Sequence, residues 1–335
     1  MKVLFLNERD VHALFQMPAA VPLMREALST LAKGDAVLPL RNMVRLPDGH
    51  GILGLMPGYL GAPQAFGLKV VTVMPGNHGT GYESHQGVVM LFGVEHGEPL
   101  AVIDASSITE IRTAAVSGAV TDALAKRDAG DLALLGSGAQ ARSHLAAMAA
   151  VRKLARVRVW SRTRANAERF AREQGARHGV RIEVCDDAAG AVRDADLVCT
   201  TTAASTPVLE GRWLAPGAHV NAVGACFANS RELDTEAVKR ARFFTDRRES
   251  CLAEAGDFRI ARDEGAIADS HLLGEVGEVF LGRVPGRVSP GDVTVFESLG
   301  LAVEDLASAH HLLRRARETG AGQWLEWGGP GGDPR

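Results

Sequence analysis

The segment LALLGSGAQA, residues 132–141, constrains the fold of this chain more than any other feature. An apolar run is followed there by GSGAQA, which fits the pattern G-x-G-x-x-A. Gly136 permits a tight turn after a strand, Gly138 lets a pyrophosphate approach the backbone, and Ala141 lets the next helix pack on the sheet. The N–H groups at the start of that helix attract phosphates. The pattern predicts a dinucleotide site, although a glycine-rich turn can also match it by chance.

Predicted strands and helices alternate after residue 130. The strands are Leu132–Leu135, Val157–Trp160, Arg181–Val184, Leu197–Thr200, Val220–Val223 and Phe243–Thr245, with helices at about Ala139–Ala150 and Ala165–Gln174. Alternation with short connections predicts an α/β fold with a Rossmann-type, doubly wound parallel sheet. A last helix is expected from about Ser298 to Arg317.

The N-terminal third has a different pattern. Residues 2–6 predict a strand, and Asp10 to Lys33 predicts two short helices. From Val37 to Asp104, glycines and prolines separate short β-rich runs, which predicts an antiparallel or mixed sheet of about five strands. An alanine-rich helix is expected from Asp104 to about Arg127. This part is therefore a second, α+β domain.

The end of the second Rossmann strand bears on the choice of dinucleotide. In NAD-binding proteins an Asp or Glu there accepts hydrogen bonds from the ribose 2′-hydroxyl. This chain has Ser161, Arg162 and Thr163 instead of a carboxylate. Arg162 can pair with a 2′-phosphate, and the two hydroxyls can add hydrogen bonds. We predict NADP(H) as the preferred cofactor, with NAD(H) possible; in the alternative, Arg162 is a solvated loop charge and either cofactor serves.

Composition argues against several other classes of protein. The net charge is −3, from 37 Lys and Arg against 40 Asp and Glu, so nothing favours a nucleic acid or a membrane surface as partner. The four cysteines include no Cys-x-x-Cys pair, so we expect no disulfide framework and no metal site. The first apolar run is too short for a signal peptide, and no run approaches the ~20 residues that span a bilayer. We expect a cytoplasmic protein.

Ten stretches, spread from residue 55 to residue 305, resemble the ornithine cyclodeaminase/mu-crystallin family, and its mu-crystallin (ketimine reductase) branch more closely than the cyclodeaminases. They are LMPGYL (55–60), GLKVVTVMPGN (67–77), SHQGVVMLF (84–92), EPLAVIDAS (98–106), ITEIRTAAVSG (108–118), LLGSGAQARSH (134–144), VRVWSRTRANAERF (157–170), LAPGAHVNAVGA (214–225), RELD (231–234) and FESLGLAVED (296–305). Their joint order and spacing are far more specific than the glycine pattern alone.

The resemblance implies two domains. A substrate-binding and dimerisation domain would cover residues 1–120, with the helix at about 300–322 returning to it and an open sheet forming a homodimer. The NAD(P)-binding Rossmann domain would cover 121–299. We expect the glycine-rich tail, 323–335, to be disordered.

The resemblance also implies a site for α-amino or α-imino acids. Arg41 matches the family arginine that takes the substrate carboxylate, and Lys69 matches the substrate lysine. Burial in an apolar strand would lower the pKa of Lys69, which suits a catalytic proton donor. Arg112 matches an arginine near the cofactor phosphates and nicotinamide. Salt bridges between domains are an alternative role for both arginines.

Further site residues complete the prediction. Ser84 matches a cofactor contact and His85 follows it, although His85 can equally be a core residue. Leu299 matches a pocket-lining residue and can equally be core. The predicted cofactor-binding residues are Ser84, His85, Arg112, Gly136, Gly138, Ala139, Gln140, Ser161, Arg162, Thr163, Thr202 and Val223, and the predicted substrate-binding residues are Arg41, Lys69, Leu299 and Cys226.

Cys226 is a departure from the cyclodeaminases, which carry an aspartate at this position that activates water or moves a proton. A thiol with an ordinary pKa of ~8.5 is mostly neutral at pH 7 and is a poor base. Reduction of a ready-made imine needs a hydride and a proton but no activated water. The resemblance therefore favours a reductase, with Cys226 as a small residue of the pocket wall.

We predict an NADPH-dependent reductase of cyclic ketimine acids such as Δ1-pyrroline-2-carboxylate and Δ1-piperideine-2-carboxylate, which gives proline or pipecolate. The first alternative is an amino-acid dehydrogenase or imine reductase acting on a linear imino acid, such as iminosuccinate or the imine of pyruvate. The second is an ornithine cyclodeaminase. A third, from the resemblance, is a protein that only binds hydrophobic hormones or serves as a lens protein.

Overall fold

The computed structural model describes residues 1–77 and 80–328, and the chain divides into two compact units. The helices are α1 (Glu8–Leu14), α2 (Met17–Ala32), α3 (Ala105–Leu124), α4 (Ala139–Val151), α5 (Arg164–His178), α6 (Ala188–Val192), α7 (Thr235–Arg240), α8 (Arg248–Glu254), α9 (Gly256–Asp263), α10 (Val276–Phe280) and α11 (Ala302–Thr319). The strands are β1 (Lys2–Leu6), β2 (Ala36–Val37), β3 (Asn42–Arg45), β4 (Ile52–Gly61), β5 (Gln64–Val73), β6 (His85–Phe92), β7 (Pro99–Asp104), β8 (Asp131–Leu135), β9 (Arg156–Trp160), β10 (Ile182–Val184), β11 (Leu197–Thr200), β12 (His219–Ala222), β13 (Ala241–Thr245), β14 (Leu272–Glu275), β15 (Val293–Glu297) and β16 (Gln323–Glu326).

Unit 1 comprises Met1–Arg112 and the chain from Leu301 onward. Its sheet has the strand order β16-β1-β7-β6-β5-β4-β2, and β3 also pairs with β4. β1 and β7 are parallel, and the other pairs are antiparallel. The sheet is therefore mixed and has eight strands, where the sequence predicted about five.

Helix α11 covers one face of this sheet. It packs on β4, β5 and β6, and a Cβ atom added at Gly58 or Gly67 would come within 3.4 Å of the side chain of Leu306. The helix thus lies directly on strand positions that lack a side chain. Its buried residues include two carboxylates, Glu304 and Asp305, and carboxylates are almost never fully buried unless they are paired.

Unit 2, Thr113–Gly300, contains an eight-stranded sheet in the order β10-β9-β8-β11-β12-β15-β13-β14. All its strand pairs are parallel, which confirms the predicted doubly wound α/β fold. Residues Leu132–Leu135 of β8 are fully buried, as is typical of a parallel sheet with both faces covered. The strand order reverses between β8 and β11, and such sheets bind ligands at the carboxyl ends of the strands at this point.

The boundary between the units falls at Arg112 and Thr113, inside α3, and not at 120/121. Nearly every residue of α3 is buried or half-buried. Most residues of this helix are small or apolar, which suits a helix that is buried on nearly all sides. The helix was predicted from Asp104 to about Arg127, and the observed bounds, Ala105–Leu124, are close to these.

Two expectations for the C-terminal part are wrong. Residues 323–326, expected to be disordered, form β16, which pairs antiparallel with β1 and so satisfies backbone groups at the edge of that strand. The rest of the predicted tail, 329–335, lies outside the described residues. The last helix begins at Ala302 rather than at about residue 298, and residues 293–297 before it form β15, a strand that sequence reasoning missed.

Candidate active site

Lys69 lies within β5, between Met56 of β4 and Val89 of β6. It is only 3% exposed, and a buried ammonium is unfavourable unless it is paired. Its Nζ atom lies 2.7 Å from Oδ2 of Asp305 and donates to Oγ1 of Thr109 at 3.5 Å. Burial lowers the pKa of Lys69 to about 8, although the carboxylate of Asp305 opposes the shift. The group is therefore poised to give or take a proton near neutral pH.

Asp305 joins Lys69 to Arg112. The Nε atom of Arg112 donates to Oδ1 of Asp305 at 2.9 Å, and its Nη1 donates to Oε2 of Glu304 at 2.8 Å. The two carboxylates lie in the first turn of α11, where the helix dipole favours negative charge. Two buried cations are thus balanced by two buried carboxylates. Since an ammonium has three donors, Lys69 can serve Asp305 and also a ligand.

His85 begins β6 close to this cluster. Ser84 Oγ and His85 Nδ1 are 3.0 Å apart, and Ser106, at the start of α3, donates to the carbonyl oxygen of His85. Partial burial lowers the pKa of His85, and the positive charge of Lys69 lowers it further. The imidazole is therefore neutral near pH 7, and it can accept or donate a hydrogen bond without adding charge.

Arg41 is half-buried and directly precedes β3. The first residue of β3 pairs with Leu55 of β4, the neighbour of the residue that pairs with Lys69. Among the predicted residues of unit 1, the structure thus brings Lys69 and Arg112 together through Asp305. It places His85 where the charge of Lys69 affects its pKa, and it places Arg41 at the start of a nearby strand.

In unit 2 the turn after β8 has the geometry that the glycine pattern predicts. Gly136 has a φ of +119°, and a Cβ atom there would lie 2.7 Å from the carbonyl oxygen of Thr201, so only glycine fits. Gly138 caps α4, and a Cβ atom there would meet nothing within 4 Å. Ala141 is fully buried. The turn is therefore closed on the protein side and open beside Gly138, where the pattern places a pyrophosphate.

The first turn of α4 also fits a bound group. Ala139 is exposed at the start of the helix. The side-chain oxygen Oε1 of Gln140 is buried and has no hydrogen-bond partner among residues 1–77 and 80–328. A buried acceptor without a partner is rare in native proteins. A donor on a dinucleotide could satisfy it, and the free N–H groups of the helix end suit phosphate.

The turn touches the end of β9, where the cofactor preference is expected to be decided. Ser137 Oγ donates to Ser161 Oγ at 3.1 Å. Arg162 and Thr163 are exposed, and Thr163 is the N-cap residue of α5. The structure therefore leaves the side chain of Arg162 accessible to a ligand.

The other predicted residues of unit 2 follow neighbouring strands. Thr202 lies two residues after β11, and Val223 lies directly after β12. Leu299 lies two residues after β15 and is 5% exposed, and Cys226 packs, half-buried, against the apolar cluster that contains Leu299. Because the carboxyl ends of parallel strands share one edge of the sheet, all four lie at the edge that carries Gly136.

Sequence reasoning missed three buried carboxylates. Glu304 and Asp305 hold the two cations of unit 1, and Glu232 accepts hydrogen bonds from the backbone of Thr202 and Gly224 in unit 2. A signal was available for the first two. They interrupt the apolar face of the segment AVEDLA, 302–307, and acidic residues on the buried side of a helix indicate paired cations.

The part of the chain that the structure describes also bears on other kinds of site. No three His, Cys, Asp or Glu side chains in it are grouped so that they could hold a metal ion. None of its helices has both the length and the apolar character needed to cross a bilayer. The four cysteines, Cys185, Cys199, Cys226 and Cys251, are thiols.

Comparisons with known proteins agree with the motif-based resemblance. The sequence profile of the ornithine cyclodeaminase/mu-crystallin family matches residues 1–320. The chain is 40% identical over 293 residues to the ketimine reductase mu-crystallin of Mus musculus, covering 86% of this chain and 89% of that protein. These matches confirm the predicted family.

Two solved structures are similar over nearly the whole chain. One is Δ1-pyrroline-2-carboxylate reductase of Thermococcus litoralis in complex with NADH and L-proline, with 33% identity, a TM-score of 0.93, and coverage of 96% of this chain and 99% of that one. The other is an archaeal alanine dehydrogenase dimer with bound NAD, with 30% identity, a TM-score of 0.92, and coverage of 98% and 100%.

Proposed function

This chain belongs to the ornithine cyclodeaminase/mu-crystallin family, and on that premise we propose that it reduces cyclic ketimine acids to cyclic amino acids with NADPH. It is an NAD(P)H-dependent oxidoreductase that acts on C=N bonds. The proposed substrates are Δ1-pyrroline-2-carboxylate and Δ1-piperideine-2-carboxylate, and the products are proline and pipecolate. The observation that carries the proposal is the buried Lys69, with a pKa of about 8 and Arg112 beside it.

The residues of unit 1 have separate tasks in this proposal. Arg41, helped by Lys69, binds the substrate carboxylate, for which a guanidinium offers paired donors. Arg112, which Asp305 and Glu304 hold in place, contacts the cofactor. Lys69 donates a proton to the ring nitrogen when the imine binds in its neutral form, and its cationic form also keeps the C=N carbon electron-poor. The reaction needs no activated water, so the main contribution of these residues to catalysis is to hold the substrate in one orientation.

The residues of unit 2 hold the cofactor. When bound, the dinucleotide supplies the hydride. The N–H groups at the start of α4 and the turn from Gly136 to Gly138 bind its pyrophosphate. Oε1 of Gln140, which has no partner within the described residues, accepts a hydrogen bond from a donor group of the dinucleotide. Thr202 and Val223 contact the nicotinamide half, and Leu299 and Cys226 form the apolar wall against the substrate ring.

NADPH is the proposed cofactor because β9 ends without a carboxylate and exposes Arg162. The two similar structures contain NADH and NAD, so the preference has to be measured on this chain. We expect a lower KM for NADPH than for NADH. The variant R162A should raise the KM for NADPH about tenfold and leave that for NADH unchanged. A clear preference of the unaltered protein for NADH would overturn this part of the proposal.

A second candidate function is the reduction of a linear imino acid, favoured by the similarity to an archaeal alanine dehydrogenase. A cyclodeaminase is disfavoured because Cys226, half-buried against apolar side chains, stands where those enzymes carry an aspartate.

The decisive assay follows NADPH consumption with the two cyclic imines, and with pyruvate or oxaloacetate in the presence and absence of ammonia. We expect turnover of cyclic imines without ammonia. Turnover only with a keto acid plus ammonia would establish the second candidate instead.

We also propose that the protein is a cytoplasmic homodimer. One of the similar structures is a dimer. In unit 1 the face of the sheet opposite α11 carries partly exposed apolar side chains, including Phe66, which is 45% exposed, and Leu68, which is half-buried. Exposed apolar patches of this kind mark protein interfaces.

A further inference from the structure

Glu232 accepts hydrogen bonds from two loops at once. One is the β11 loop, residues 201–204, and the other is the β12 loop, residues 223–227. Oε1 of Glu232 accepts from both the backbone N–H and the hydroxyl of Thr202, each at 2.6 Å, and Oε2 accepts from the backbone N–H of Gly224 at 2.7 Å. The carboxylate is completely buried. A single side chain therefore ties the two loops together.

The two loops also touch each other and the phosphate turn. A Cβ atom at Gly224 would lie 2.1 Å from the carbonyl oxygen of Thr202, so the close approach requires glycine. Gly136 abuts Thr201 in the same β11 loop. Contacts thus run without a gap from the phosphate turn through the β11 loop and Glu232 to the β12 loop.

Glu232 is held firmly in turn. Its own N–H, and that of Leu233, donate to Oδ1 of the buried Asp257 at 2.8 Å. Its carbonyl oxygen accepts from the N–H groups of Val208 and Leu209. Burial raises the pKa of Glu232, and the hydrogen bonds from Thr202 and Gly224 oppose that shift because they favour the carboxylate.

We propose that Glu232 is a positioning residue that preforms the dinucleotide pocket of unit 2. It keeps the β11 and β12 loops at the spacing that the nicotinamide half of the cofactor needs before the cofactor arrives. The inference rests on the proposed function, which assigns Thr202 and Val223 of these loops to that half. A pocket ordered in advance binds more tightly, since binding then involves no loss of loop entropy.

The variant E232Q tests this with little change in volume. A glutamine side chain has one acceptor oxygen and one NH2 group, so its NH2 must face a backbone N–H of either Thr202 or Gly224. One loop then loses its acceptor. The matched control is D234N: Asp234 is also a carboxylate of unit 2 and accepts from the N–H groups of Gly211 and Ala237, both at 2.8 Å, outside the two loops.

Calorimetric titration with NADPH and NADH, without substrate, is the readout. In E232Q we expect the Kd for the preferred dinucleotide to rise at least tenfold, and the KM for the imino acid at saturating cofactor to rise by a smaller factor. D234N should lower the melting temperature but leave the Kd within twofold. If folded E232Q binds as tightly as the unaltered protein, the inference is wrong. If the unaltered protein binds no dinucleotide, the proposed function itself has failed.

Hydrogen exchange on the unaltered, cofactor-free protein gives a second test that does not depend on the folding of E232Q. The amides of Thr202 and Gly224 should be protected like core amides, because their acceptor is buried. Exchange of both amides at the rate of an exposed loop would show that the pocket is not preformed and would overturn the inference.

Discussion

The buried ammonium of Lys69 makes activity depend on pH in a predictable direction. As a proton donor it acts in its charged form, which is present below its pKa of about 8 and is lost above it. We expect kcat/KM for a cyclic imino acid to fall about tenfold per pH unit above roughly pH 8. K69A should lose most of the activity and this basic limb with it. Full turnover by K69A would remove Lys69 from the mechanism.

The variant D305N removes the negative charge of the Lys69–Asp305 ion pair while nearly keeping the volume of the side chain. The carboxylate of Asp305 raises the pKa of Lys69, against the effect of burial, so its loss should move the basic limb to lower pH. E304Q is the matched control. Glu304 accepts a hydrogen bond from Arg112 and raises the pKa of Lys69 less than Asp305 does. The basic limb of the pH profile should therefore move less in E304Q than in D305N. Identical basic limbs in all three proteins would contradict this account.

The carboxylates that hold Lys69 and Arg112 could not be paired with them from sequence. Asp305 lies 193 residues after Arg112, and only the return of α11 onto β5 brings them together. Lys69 itself was predictable, because a lysine in an apolar strand is costly to bury unless it has a partner or a ligand. Glu232 left no local signal, since its partners are the backbone N–H groups of Thr202 and Gly224 and the hydroxyl of Thr202, none of which is a charged side chain.

At the level of elements, the turn between β8 and α4 allows a matched pair of substitutions. G136A places a Cβ atom 2.7 Å from the backbone oxygen of Thr201, at a φ of +119°, so we expect a loss of about 2 kcal/mol or more in unfolding free energy. G138A meets no protein atom within 4 Å and has a φ of −85°. Its stability should change by less than about 0.5 kcal/mol.

The variant that keeps its stability, G138A, should be the one that loses dinucleotide affinity. G138A fills the space that the phosphates need, so it should bind NADPH at least tenfold more weakly although it is as stable as the unaltered protein. Urea unfolding and calorimetric titration measure the two properties. If folded G138A keeps its affinity, the pyrophosphate does not approach the backbone at this turn.

Elements with a clear period and a recognisable turn were predicted closely, and elements defined by tertiary pairing were not. β11 has the predicted bounds, and β8 and β9 differ from theirs by a single residue. β15 was missed although its sequence, VTVFE, is rich in β-branched residues, because it follows a long irregular segment rather than a helix. β16 was mistaken for a tail, since a four-residue strand that is mostly exposed is stabilised by its pairing with β1 alone.

For the whole molecule, the open face of the unit 1 sheet predicts association of two chains. The rings of Phe66 and Phe92 lie 6.3 Å apart on this face, and Met90 pairs with Leu68 beside them. Light scattering should give twice the chain mass of 35.5 kDa. The double variant F66E/M90E should give a single chain mass, because burying two carboxylates is unfavourable. L273E, at an exposed leucine of unit 2, is the control and should stay dimeric. A monomeric unaltered protein would refute the prediction.

Global stability should depend on two buried histidines of unit 2. His144 lies against the carbonyl oxygen of Gln140 through Nδ1, so Nδ1 carries the proton and Nε2 accepts from the hydroxyl of Ser117. Burial lowers the pKa of His144 to about 4 and that of His219 to about 3. Both folded-state values lie below the ordinary 6.5, so the unfolded chain takes up protons first as the pH falls.

The stability that these neutral imidazoles allow is therefore present above pH 6.5 and is lost as the pH falls toward 4. Each histidine should remove up to about 1.4 kcal/mol per pH unit in this window. Buried acids with raised pKa, such as Glu232, act with the opposite sign, so the test compares two proteins that share them. Urea unfolding of the unaltered protein and of H144Q should give parallel curves above pH 7 and a shallower acid loss for H144Q below 6.5. Curves that stay parallel down to pH 4.5 would show that His144 takes up its proton equally well in the folded state.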